Sequence, residues 1–165
     1  MNAITVTRVS QIVLLLDKLD KEICNGNLAE TNFADELAMF ENRRSSEEHK
    51  GFAAKLTRAG RDDEIEDAEE KLELFDMLLM KFRHFPSAQR IFAYFLWRIR
   101  DVFDVHIKPN VSSLSRQDVE TIIEQKIVEP TITDMGDGFT HFTLYHAHIR
   151  GMIYWLADRC FVRWH

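Results

Sequence analysis

Three histidines, His141, His146 and His148, are the residues whose type and spacing come closest to a metal site. Imidazole is a common zinc ligand, so a zinc ion held by all three is one hypothesis. If His146 and His148 open a helix, however, their side chains point about 200° apart, and helical zinc sites use residues three or four positions apart. We therefore expect these histidines to cap a helix, lie on the surface or pack in the core, and we predict no metal and no cofactor.

A nucleophile–base pair is the second chemistry to consider, with Cys160 beside one of these histidines. Cys160 falls on an apolar helical stripe, where a thiol is usually packed and inert. The sequence contains none of the GxGxxG, Walker, HExxH or GxSxG motifs that mark phosphate, zincin and hydrolase sites. We therefore predict that the chain is not an enzyme.

Aromatic and arginine side chains are concentrated between residues 145 and 164. This enrichment is typical of a protein-binding hot spot, but also of a terminal helix that docks its aromatics into its own core. A glycine inside a helix costs about 1 kcal/mol relative to alanine, so the glycine in this segment predicts close packing of another element. The candidate interaction residues are Gly151, Tyr154, Trp155, Arg159, Arg163, Trp164 and His165.

The elements that must position these residues are predicted from hydrophobic periodicity. Apolar residues at steps of three and four predict helices over about 6–25, 30–43, 46–59, 62–84, 86–106, 115–128 and 145–161. The fifth is apolar on more than one side and should be the central helix. Alternation around Thr131-Ile132-Thr133 predicts a short β-hairpin near residues 131–144, or an ordered loop that imitates one. The predicted fold class is all-α, with about six or seven helices and that hairpin as its one β feature.

Composition agrees with a helical fold. Six glycines and three prolines among 165 residues are too few for the turns of a sandwich or barrel. With 45% hydrophobic residues the chain can build one core, so we predict a single domain over residues 1–165, with a polar hinge around 41–62. The longest apolar run near the start, residues 12–16, is too short for a signal peptide or a membrane span, so we expect a cytoplasmic protein.

Charge argues against nucleic-acid binding. The net charge is −6, from 21 Lys and Arg against 27 Asp and Glu. A helix followed by a hairpin would resemble a winged helix-turn-helix, but residues 131–145 contain no Lys or Arg, so this wing would repel phosphates. The acidic run over residues 62–70 is interpreted as a solvated face that complements the helix dipole, rather than as a metal site or partner surface.

Three stretches of the sequence resemble a known family. They are residues 146–165 with the terminal Trp-His, residues 52–56 with the acidic helix that follows, and residues 87–96 with the Ile107-Lys108-Pro109 stop. Together they resemble, over residues 30–165, the C-terminal domains of bacterial ABC-three-component conflict systems. The resemblance implies a non-enzymatic domain that couples an effector, often a nuclease or protease, to an ABC ATPase and a small middle component. The chain has no room for an effector domain, so we expect an excised domain or a stand-alone component.

The predicted function is therefore that of a protein–protein interaction domain in a multi-component bacterial antiphage defence system. The resemblance implies protein partners, namely the ABC ATPase, the effector or the middle component. From the short apolar run and the charge we expect neither membrane nor nucleic acid as a partner. Two alternatives stay open. One is a small helical metal- or nucleic-acid-associated protein that uses His141, His146 and His148, and the other is a stand-alone homo-oligomer whose aromatics form its own interface.

Overall fold

The computed structural model describes residues 10–26, 35–41, 51–137, 139–159 and 161–165. The described residues are mostly helical and include no strand. The α-helices are α1 (Gln11–Asn25), α2 (Asp35–Glu41), α3 (Phe52–Arg58), α4 (Ile65–Lys81), α5 (Pro86–Val102), α6 (Arg116–Ile123), α7 (Glu129–Met135) and α8 (His146–Asp158). Short 3-10 and π turns join some of them, so the described residues form seven continuous helical runs. The predicted all-α class is confirmed.

Local sequence determines where several helices begin and end. Ser10 caps α1, because its hydroxyl accepts a hydrogen bond from the Ile12 N–H at 3.3 Å. Gly26 ends the same helix in the left-handed region, at φ 62°, which favours glycine. At the start of α6 the Ser115 hydroxyl accepts from the Asp118 N–H at 3.1 Å, and the Asp118 carboxylate accepts from the Ser115 N–H at 2.8 Å. This reciprocal capping box fixes the start of α6.

The centre of the fold is α5, as its two-sided apolarity predicts. It packs against α1, α2 and α8, and Ile91, Phe92 and Phe95 are fully buried along it. The most extensive helix pair is α4 with α8, and α3 packs on the other part of α8. The helix that carries the aromatic C-terminal residues is therefore enclosed by three others. No helix in the described ranges is long and apolar enough to cross a membrane.

The predicted hairpin near residues 131–144 is wrong. Residues 129–135 form α7, which continues from α6 through a π turn at Glu124–Val128. The Thr131 hydroxyl donates to the Ile127 carbonyl oxygen at 2.6 Å, so this β-branched residue is satisfied inside a helix. The segments 136–137 and 139–145 are irregular and contain no strand. The alternation does not match the burial in α7, where Thr131 and Met135, four residues apart, are buried and Ile132 is exposed.

The third helix begins later than predicted. Gly51 precedes its first turn as the N-cap, with φ −55°, instead of lying inside it. Residues 42–50, which include the predicted start of this helix and part of the predicted hinge around 41–62, lie outside the described residues. The single-domain organisation over residues 1–165 stays a prediction.

Candidate interaction surface

The three candidate histidines lie in different surroundings. His141 Nε2 lies 2.8 Å from the Asp20 carboxylate of α1. His148 Nδ1 accepts a hydrogen bond from the Tyr145 N–H at 3.2 Å, so it caps the start of α8, while His146 is exposed. Among the described residues no group of three His, Cys, Asp or Glu side chains is placed to hold a metal ion. Cys160, the candidate nucleophile, lies outside the described residues.

The cap at His148 requires a neutral imidazole. Only an unprotonated Nδ1 can accept from the Tyr145 N–H. Partial burial lowers the pKa of His148 below its ordinary value, which favours that neutral form. The histidine therefore serves the start of α8 as a hydrogen-bond acceptor.

The aromatic candidates of the C-terminal segment belong to the core of the domain. Trp155 is fully buried, and its Nε1–H donates to the Asp76 carboxylate of α4 at 3.3 Å. Its ring packs edge-on against Phe75, with the two centroids 5.8 Å apart. Tyr154 and Trp164 are buried as well, with ring centroids 5.8 Å apart. A partner cannot reach these side chains while the domain keeps this structure.

At Gly151 the backbone of α8 lies against the backbone of α4. A Cβ at this position would lie 2.8 Å from the Lys71 carbonyl carbon, closer still to the Lys71 oxygen, and 3.1 Å from Phe75 Cβ. Real Cβ atoms do not approach backbone so closely, so only glycine fits between the two helices. The close packing predicted at Gly151 is confirmed, and it is made by the domain's own helix.

The accessible candidates are Arg159, Arg163 and His165. The guanidinium of Arg159 stacks on the Trp155 ring, 3.7 Å from its centroid, at the end of α8. Burial, reinforced by the positive charges of Arg58, Arg163 and Lys55, lowers the pKa of His165. The structure thus brings two of the predicted residues, Arg163 and His165, next to two cations of α3. These are Lys55 and Arg58, which the sequence did not indicate.

We name this group the basic cluster; its members are Lys55, Arg58, Arg163 and His165. Lys55 Nζ donates to the carbonyl oxygens of Ala157 and Val162, so it ties α3 to the end of α8. Arg58 and Arg163 are exposed. A local concentration of cations in a chain of net charge −6 gives a surface suited to an acidic partner.

An ion-pair network holds α8 in place on its other side. The Glu120 carboxylate of α6 bridges Arg61 Nη1 at 2.8 Å and Arg150 Nη1 at 2.7 Å. Arg61 is only 3% exposed and also pairs with Glu64 at 3.1 Å. Burial alone would raise the pKa of Glu120, but the two guanidinium groups outweigh it and hold that pKa below its ordinary value. The carboxylate is therefore charged at neutral pH and joins three separate parts of the chain.

Of the basic cluster the sequence indicated Arg163 and His165 but not Lys55 and Arg58, and it did not indicate the ion-pair network. The partners that complete each group are far apart in the chain, and each taken alone resembles an ordinary surface charge. One signal was available for the C-terminal aromatics. The seven residues 151–157 contain no charged side chain, and a helix that is apolar all round is buried rather than exposed.

Comparison with known proteins agrees with the resemblance seen in the sequence. The model of the family described as C-terminal domain 9 of the ABC-three component (ABC-3C) systems matches residues 51–164. No curated protein and no solved structure matches the chain. The matched region begins at the N-cap of α3 and contains the ion-pair network and every member of the basic cluster except His165. The chain belongs to this family of ABC-three component C-terminal domains.

Proposed function

We propose that this chain is a non-enzymatic coupling domain of an ABC-three component defence system. In this role it links an effector to the ABC ATPase and the middle component of the same system, in the cytoplasm and in defence against phage. The observation that carries the proposal is the family match over residues 51–164. The rigid packing of α8 between α3, α4 and α5 supports a scaffold whose surface, rather than a reaction site, performs the function.

The basic cluster is the surface that we propose for the partner. Arg58 and Arg163 stand exposed on adjoining elements, and Lys55 holds those elements together. An arginine presents several donors in a fixed plane and binds carboxylates in pairs, so an acidic segment of a partner fits this surface. Trp155 and Trp164 are buried in the core, so they do not contact the partner.

Co-purification of the 165-residue chain with the proteins encoded by neighbouring reading frames tests this proposal. We expect the ABC ATPase or the middle component to be retained, and the variant Arg58→Glu/Arg163→Glu to bind about tenfold more weakly. The matched control is Lys126→Glu, which reverses an exposed charge on the π turn after α6. Circular dichroism confirms that each variant is folded.

Two results would contradict the proposal at different levels. If the folded double variant retains its partners as well as the control does, the basic cluster is not the binding surface. If the unaltered chain retains neither component, or if it turns over a substrate on its own, the coupling function itself is wrong.

A further inference from the structure

The outward side of α4 carries an apolar centre that the domain leaves uncovered. Met77 is 64% exposed and Met80 is 48% exposed, while the opposite side of the helix buries Phe75 and Leu79. Leu74 lies at the edge of the same surface and is 36% exposed. Methionine side chains are flexible and adapt to a partner, and exposed methionines in helical register are typical of helix-binding surfaces.

On this side of α4 the acidic and the basic side chains lie at opposite ends of the apolar centre. Glu70 and Glu73 precede the two methionines, and Lys81 follows them, all three exposed. Within α4 the positions 66, 70, 73, 77 and 80 alternate in steps of four and three, so these residues lie along one side of the helix. We name the group Glu70, Glu73, Met77, Met80 and Lys81 the α4 face. Its order is acidic, then apolar, then basic.

This order is complementary to itself when reversed. In an antiparallel pair with a twofold axis beside Met77, Glu73 of each copy lies at the same level along the helix axis as Lys81 of the other, and Leu74 lies at the level of Met80. A parallel pair would instead place Glu73 against Glu73 and Lys81 against Lys81. Symmetry forms each favourable contact twice in the antiparallel arrangement.

We propose that the α4 face binds the α4 face of a second copy of this chain, as an antiparallel helix pair. The apolar centre supplies the buried part of the interface, and the glutamate and lysine ends fix the direction. One pair of helices buries less than the ~1,200 Å² of a stable standard interface, so we expect a reversible dimer with a dissociation constant in the micromolar range. This inference goes beyond the proposed coupling function and does not depend on the identity of any partner.

Sedimentation equilibrium of the full chain over a wide concentration range tests the dimer. Glu73→Lys places like charges opposite each other twice, and so does Lys81→Glu, so we expect each variant to dimerise roughly tenfold more weakly. A one-to-one mixture of the two variants restores both opposite-charge pairs, so we expect a mixed dimer of nearly the original affinity. Asp101→Lys, an exposed reversal on α5, is the matched control and should leave the affinity unchanged.

Substitution of the apolar centre gives a second, independent measurement. Met77→Ser lies at the proposed axis, faces solvent in the single copy and should abolish dimerisation without unfolding the domain. A chain that stays monomeric at millimolar concentration overturns the proposal. So does a dimer that is unaffected by Met77→Ser, or a mixture of the two charge variants that associates no better than either one alone.

Discussion

Replacement of Gly151 by alanine tests the packing of α8 against α4 through the sign of its effect. The helix propensity of alanine would by itself stabilise the domain by about 1 kcal/mol. The added Cβ, however, would lie 2.8 Å from the Lys71 carbonyl carbon and 3.1 Å from Phe75 Cβ. Backbone atoms cannot rotate away, so the two helices must separate. Overpacking of this kind costs about 1–3 kcal/mol or more, and this contact is at the severe end.

We expect Gly151→Ala to destabilise the domain by about 2 kcal/mol after the propensity gain is subtracted. For a chain of this size such a loss lowers the melting temperature by about 4–8 °C. Thermal unfolding followed by circular dichroism measures it, with urea unfolding as a second method. The matched control is Gly51→Ala, where φ is −55° and the new Cβ would meet only the movable Asp158 carboxylate, at 3.3 Å. A Gly151→Ala variant as stable as the original chain, or more stable, would refute the proposed close contact.

Three further predictions concern the residues around α8. Glu120→Gln removes the negative charge between Arg61 and Arg150. Because Arg61 is almost fully buried, we expect the free energy of unfolding in urea to fall by about 2 kcal/mol. An unchanged midpoint of urea unfolding contradicts the structural role of the network. Because the folded pKa of His148 is lowered, its neutral form stabilises the fold above the unfolded value of about 6.5, and stability is lost as the pH falls below it. His148→Gln should flatten that part of the pH profile of the melting temperature, and an identical profile contradicts the cap. Trp155→Ala should cost about 3–5 kcal/mol as a core truncation, and a fully folded, equally stable variant would place this ring outside the core.

Long amphipathic segments were the predictable part of the fold. The central helix α5 follows from apolar residues on two sides, and the start of α6 follows from the Ser115 and Asp118 spacing, because both are local signals. The hairpin prediction failed because residues 129–135 form a helix, and this too has a local cause. Pro130 normally ends a helix, but here it lies in the first turn of α7, where its missing N–H is tolerated. The π turn that makes this continuation sterically feasible has no clear sequence signature.

The site was less predictable than the fold because its decisive feature is tertiary. Aromatic residues are equally at home in a core and in a binding surface, so the composition of residues 145–164 fits both. Whether these aromatic residues lie in the core or on the surface depends on how α3, α4 and α5 pack around α8. Likewise, Lys55 reaches the Val162 carbonyl oxygen only because α3 returns to the end of α8, across more than a hundred residues of chain. Periodicity gives no information about contacts at that distance.

The contact between α3 and the end of α8 has a mechanical consequence. Gly51 adjoins Asp158, and Lys55 donates to carbonyl oxygens at 157 and 162, so the two ends of the family region lie side by side. A force that pulls those two ends apart would break the Lys55 hydrogen bonds one after the other. Trp164 is buried against Phe103, so the same pull would also draw this ring out of the core. Tension between the two ends would therefore act on this contact and on the aromatic packing of the core together.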